Sequence, residues 1–357
     1  SVFLGSNTAY TAANSNTTLG SNSMASGSSN NVVGVISVGN NTAGETRRIQ
    51  GVAEGLISNQ STDAVNGAQL YAAMANATGS KYFGVCSTMT GNRDGSGATG
   101  SEAIAIGANV TAAASRSIAI GHNISTHSYN ASSISIGDEA SANATFGTAI
   151  GWRAKALESY AYAIGNEANA SGYNAYAIGW NAEASNATAI SIGSISKARG
   201  IASVALGTNA QALAESATAL GRLSNASANS STAVGYQAQA QREGALALGC
   251  ASFAVGNHAT SIGTFAVAFG ERTIAIGNQS RAAALNALAL GTQANATNTN
   301  ATAIGLSAQA NGLDSIAMGT STLAQDYHTM AMGVNASARG NYAIAIGSQA
   351  KAAAKAF

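Results

Sequence analysis

Small and bulky residues alternate along most of this chain in short bursts, and each burst ends in glycine. AIAIG at 103–107, SIAIG at 117–121 and SISIG at 133–137 open a series that continues through AYAIG, SVALG, ALALG and TMAMG to AIAIG at 343–347. The closing glycines run from Gly107 to Gly347 at steps of fourteen residues, except for a sixteen-residue step from Gly121 to Gly137. Period-two alternation bounded by glycine predicts short strands. A fixed period predicts one structural unit stacked many times. Fourteen is not a multiple of six, which disfavours a hexapeptide β-helix. A glycine in every second heptad, with β-branched runs, disfavours a coiled coil.

Positions counted from each glycine predict the layout of a coil. One residue before it stands only Ile, Leu, Val or Met, and three before it most residues are also bulky. Two before it stand only alanine and serine: Ala105, Ala119, Ser135, Ala149, Ala163, Ala177, Ser191, Ala205, Ala219, Ala233, Ala247, Ser261, Ala275, Ala289, Ala303, Ala317, Ala331 and Ala345. After the glycine, positions +3 and +5 are mostly alanine and +2 and +4 mostly polar, as in Glu167, Ala168, Asn169 and Ala170. Each unit therefore reads as two short strands and two tight turns. Because alternate strand residues face opposite sides, the first strand is expected to be buried on both faces. The aliphatics Ile104, Ile106, Ile118, Ile120, Ile136, Ile150, Ile164, Ile178, Leu206, Leu248, Ile276, Leu290, Ile304 and Ile346 are assigned to the interior of the coil. The alanine and serine row is assigned to contact with another copy of the chain.

Composition narrows the class. The 357 residues contain 41 glycines, no proline and 2 cysteines; charged residues are 9% and the net charge is +1. That balance excludes a nucleic-acid grip, and the lack of a long apolar run excludes a membrane-spanning helix. Cys86 and Cys250 lie about ten coils apart and cannot pair within one chain; small thiols or a link between chains remain open. His122, His127, His258 and His328 have no nucleophile or carboxylate at a recognisable spacing, so no catalytic residue, metal site or cofactor is expected. The extra residues in HNISTHSYNASSISIG (122–137) predict an outward loop, and Asn-x-Ser/Thr sequences such as Asn123 and Asn335 would accept a glycan if one is added.

The repeat is interrupted near the N-terminus. Looser units end at Gly5, Gly20 and Gly39; then Arg47-Arg48-Ile49 leads into TDAVNGAQLYAAMA at 62–75. Thr62 as N-cap and Asp63 in the first turn predict a helix of about four turns, and a helix that short needs partner copies. Lys81 to Val85 reads as a strand.

The small-bulky-Ala-bulky-Gly units resemble the YadA-like head of trimeric autotransporter adhesins. The stretch from Arg47 to Leu70, with Asp63, Val65 and Asn66, resembles the neck that follows such heads, and KYF at 81–83 the element that reopens a head. Gly67 and the two cysteines depart from the family pattern. The resemblance implies a left-handed parallel β-roll in each chain and a homotrimer about one axis. It makes the alanine and serine row the trimer contact; separately, Arg47 and Arg48 ahead of Asp63 are expected to form ion pairs between chains that set geometry more than stability. It implies an adhesin of the Gram-negative cell surface, anchored to the outer membrane by a part not present here. The segments are then the end of a first head (1–42), a neck with a short helix (43–79), a connecting strand and loop (80–99) and a second head (100–357). With neither signal peptide nor anchor, the chain is expected to be an internal fragment. The leading function is a multivalent adhesive rod binding matrix proteins, cells or surfaces. A passive spacer is the alternative; a repetitive-lattice binder ranks lower because the outer positions mix Gln, Asn, Lys, Arg and Glu.

Overall fold

Glycine recurs where side chains cannot fit. At Gly179 the backbone takes φ 134°, and an added Cβ would lie 2.6 Å from the carbonyl oxygen of Gly193 in the next coil. Both the dihedral and the approach exclude any L side chain. The structure, a computed structural model, describes residues 2–3, 36–38, 47–59, 61, 63–77, 97–126 and 132–353. The chain divides into two compact units, Ser1–Gly84 and Val85–Phe357.

The larger unit is a parallel β-solenoid of about 17 turns. Three-residue strands such as Tyr162–Ile164 pair in parallel with their successors, with Tyr162 opposite Tyr176, Ala163 opposite Ala177 and Ile164 opposite Ile178. These pairings run unbroken from Ile104–Ile106 to Ile344–Ile346. A second, 16-stranded sheet of two-residue strands runs from Ser141–Ala142 to Lys351–Ala352. Ahead of it, Val110–Ala112 pairs with Ile124–Thr126.

Two corners join the sheets in each coil, and they lie seven residues apart. Both contain a non-glycine residue in the left-handed region, as at Glu167 (φ 57°) and Asn174 (φ 52°). The corner is a four-residue turn: Ala168 N–H donates to Gly165 O at 3.2 Å, and Ala175 N–H to Gly172 O at 3.2 Å. The left-handed residue also joins the ladder between coils, since Glu167 N–H donates to Trp152 O at 2.7 Å. Backbone pairing thus continues around the corners, and this holds them in a conformation most L residues avoid.

The interior reverses the expected assignment of faces. Ala163, Ala168, Ala170 and Ala175 are all at 0% exposure within a single chain. The residues at −4, −2, +3 and +5 point inward from the two sheets and meet. Because both walls carry methyl-sized groups, the cavity between them has no room for a leucine. Of the row assigned to chain contact, Ala119, Ser135, Ala149, Ala163, Ala177, Ser191, Ala205, Ala219, Ala233, Ala247, Ser261, Ala275, Ala289, Ala303, Ala317 and Ala331 are at 0% and Ala345 at 2%, while Ala105 is half-buried at the first coil. These residues are the core of the roll and lie out of reach of another chain. The aliphatics assigned to the core face outward instead: Ile104, Ile164, Leu206, Leu248, Leu290 and Ile346 are exposed. Ile106, Ile118, Ile120, Ile136, Ile150, Ile178, Ile276 and Ile304 are half-buried.

Most inward hydroxyls are satisfied locally, and Ser133 Oγ is an exception. Ser203 donates to Gly200 O at 2.7 Å and Thr273 to Gly270 O at 2.7 Å, so at these corners serine and threonine replace alanine without leaving the hydroxyl unpaired.

In the smaller unit, Val2–Phe3 pairs with Ile36–Ser37 and a helix spans Gly67–Ala77. The helix begins later than predicted, and Asn66 caps it. Gln69 N–H donates to Asn66 Oδ1 at 3.0 Å, and Asn66 N–H donates to Gln69 Oε1 at 3.2 Å, a reciprocal capping box. Gly67 is then the first helical residue, where nothing lies within 4 Å of an added Cβ. Thr62, the strand read at Lys81–Val85, His127 and Cys86 lie outside the described residues.

Candidate assembly and binding surfaces

Two outer faces of the roll differ in kind. On the first sheet, positions −3 and −1 form adjoining rows with no charged residue along their whole length. Leu206 and Leu220 are each 41% exposed and Ile274 is 40% exposed in the single chain. Five threonines interrupt the −3 row, and the face is otherwise apolar along its length. Two tyrosines join it: Tyr162 and Tyr176 stack at 5.0 Å with rings 1° from parallel.

On the second sheet, positions +4 and +6 carry amides and charges. Glu183 accepts two hydrogen bonds from Arg199, from Nε at 2.9 Å and Nη2 at 2.7 Å. This contact is the main reason the Arg199 guanidinium is pushed above its ordinary value. At the +2 corner Arg153 Nε donates to Glu139 Oε2 at 2.6 Å, with the same effect on Arg153. Such exposed pairs orient side chains more than they stabilise the fold. Single leucines interrupt the polar face at Leu157, Leu213 and Leu323, and its widest break is where Phe253, Val255, Val267 and Phe269 adjoin on neighbouring coils; Phe269 is 57% exposed.

Corner rows carry ladders of like residues. Asn286 Nδ2 donates to Asn300 Oδ1 at 3.0 Å, and Asn300 Nδ2 to Asp314 Oδ1 at 2.7 Å. His328 Nδ1 follows 3.5 Å from Asp314 Oδ2 and stacks on Tyr342 at 5.1 Å. His122 meets Asp138 at 2.8 Å, a pairing not foreseen from spacing. Cys250 is a free, half-buried thiol.

The segment 47–74 is largely unburied among its described residues. Ile49, Val65 and Leu70 are 68%, 57% and 56% exposed. Arg48 and Asp63 are exposed, and Asn66 is half-buried. Arg47 Nη1 donates to Val38 O at 2.9 Å, and Asp63 Oδ2 accepts from Leu56 N–H at 2.8 Å. Gln69 holds the extended segment to the helix, accepting from Gly55 N–H at 3.0 Å and donating to Gly55 O at 2.6 Å. Asn66 Nδ2 adds a bond to Val52 O at 3.1 Å.

Among the described residues no group of three or more His, Cys, Asp or Glu could hold a metal ion. No described helix is long and apolar enough to cross a membrane. A repetitive parallel solenoid with one apolar and one polar outer face is a structural element. The YadA head domain repeat matches residues 98–123, 130–154, 159–182, 170–194, 198–224, 226–249, 254–280, 282–308, 296–322 and 327–350. The coiled stalk of trimeric autotransporter adhesins matches residues 48–81. The head matches cover more than half of the chain, which therefore belongs to the YadA-like trimeric autotransporter adhesins. Members of this family are homotrimers and carry surface-exposed passengers. None of the curated proteins compared with the chain matches it.

Proposed function

We propose that the chain is an adhesive head segment that acts as a homotrimer, with the outward aliphatic face of the first sheet as the seam between chains. One observation carries this: both rows of that face are free of charge, yet they remain partly exposed to water in a single chain. Fourteen-residue coils wound in the left-handed sense, as the family resemblance implies, would bring three such faces to one axis. The polar second sheet and the corners would then face outward. Residues 1–42 would close a first head, 43–79 form the neck and 80–99 lead into the head at 100–357. Arg47, Arg48 and Asp63 would pair between chains in the neck.

The outer face repeats coil after coil, so attachment to matrix proteins, cells or solid surfaces would come from many weak contacts acting together. The test is to shorten the roll in whole coils and measure attachment of the purified trimer to coated surfaces. Attachment should fall steeply with coil number. Undiminished attachment by a short roll would favour a spacer that displays a binding tip elsewhere.

A further inference from the structure

The chain has two tryptophans, Trp152 and Trp180, and each directly follows a roll glycine. They occupy one corner row two coils apart, and strands stacked about 4.8 Å apart set them about 9.6 Å from one another along the roll. Both indoles are exposed, at 39% and 53%. Their row also contains His122, Asp138, Asn166 and Arg222, so it is a solvent row and not an extension of the charge-free face. The coils around it, 146–180, are the richest in aromatic residues anywhere in the chain.

The two rings are presented and not merely tolerated. The Arg153 guanidinium lies 4.5 Å from the Trp152 ring centroid, and Glu139 fixes that guanidinium at 2.6 Å. One face of the indole is thus backed, which leaves the other face and the ring edge to solvent. Asn166 stands exposed on the coil between the tryptophans. Its Oδ1 accepts from the Trp152 backbone N–H at 3.4 Å, and its Nδ2 has no partner among the described residues. Two flat apolar rings with a free amide donor midway form a small binding row.

We propose that this row binds an extended β-1,4-linked pyranose chain lying along the roll. The C–H faces of pyranose rings pack on indoles. In an extended β-1,4 chain alternate sugars present the same face, and their repeat is close to the separation of two coils. The sugar between them offers hydroxyls to Asn166 Nδ2. An α-1,4-linked chain curls and loses this register. The inference supplies a ligand class for the adhesive reading and rests on it only for the corner staying open in the trimer; three copies per trimer would add avidity.

Because Trp152 and Trp180 are the only tryptophans, indole emission reports on this row alone. The purified chain is titrated with cellohexaose, chitohexaose and, as control, maltohexaose, and the mass of the same sample is measured. At least one β-linked probe should shift the emission and bind at least tenfold more tightly than maltohexaose. Which one does so separates a glucan from an N-acetylglucosamine polymer. Trp180→Ala should weaken binding at least tenfold, Trp180→Phe much less, and Asn166→Ala severalfold. The circular dichroism should stay unchanged, because these side chains are exposed. No response to either β-linked probe, equal binding of maltohexaose, or full affinity of the Trp152→Ala/Trp180→Ala variant in titration calorimetry would overturn the proposal. Trimeric mass without sugar binding defeats this inference alone; sugar binding by a monomer defeats only the assembly reading.

Discussion

Ala177 in the roll is completely enclosed by its own chain, whereas Leu70 in the neck helix is 56% exposed. The roll closes a core from methyl groups contributed by two facing sheets, and its backbone bonds pass from coil to coil. The neck has an eleven-residue helix and a few side-chain bonds to an extended segment, and it encloses almost nothing. A single chain therefore has a reason to fold in one region and little in the other. Partners would cover an already formed surface of the roll, but they would have to complete the neck.

Charging the seam should produce the largest change. Leu220→Lys leaves an unpaired charge in a dry interface, worth roughly 3–5 kcal/mol per chain, and should convert trimer to monomer in sedimentation. Gln239→Lys on the polar sheet should leave the mass unchanged. Filling the interior comes next. Ala177→Leu should lower stability by about 3 kcal/mol, at the upper end of overpacking costs. Calorimetry should show this loss in the roll transition whether or not the chain is trimeric. In the neck, Gln69→Ala removes the bonds to Gly55 and Asn66 and should cost about 1–2 kcal/mol. Hydrogen exchange should rise at 52–70 and stay unchanged in the roll. The smallest effect is a gain: Ile195 is β-branched at φ 58°. Ile195→Asn should stabilise the roll by about 1 kcal/mol, read as a higher melting temperature.

The repeat, its strands and the family were legible in the sequence because glycine is demanded by both a dihedral and a close approach, as at Gly179. The direction of the faces was not. The alternation in Ala175-Tyr176-Ala177-Ile178 is the same whichever way the strand is turned, and in larger domains it is the bulky residues that fill the core. The decisive signal lay in the other strand: Ala168 and Ala170 face the same interior, and two walls of alanine leave no width for isoleucine. The seven-residue spacing of the corners was also readable, through asparagine at positions such as Asn174, Asn181 and Asn209, all left-handed. In the neck, the Asn66–Gln69 capping box was visible as a spacing, but Thr62 and Asp63 offered a competing start four residues earlier.

The central claim is that the charge-free aliphatic face is covered by sister chains. Sedimentation equilibrium of the purified chain at micromolar concentration tests it directly. The account predicts a mass three times 35.1 kDa. A stable, folded monomer with that face open to water would contradict it.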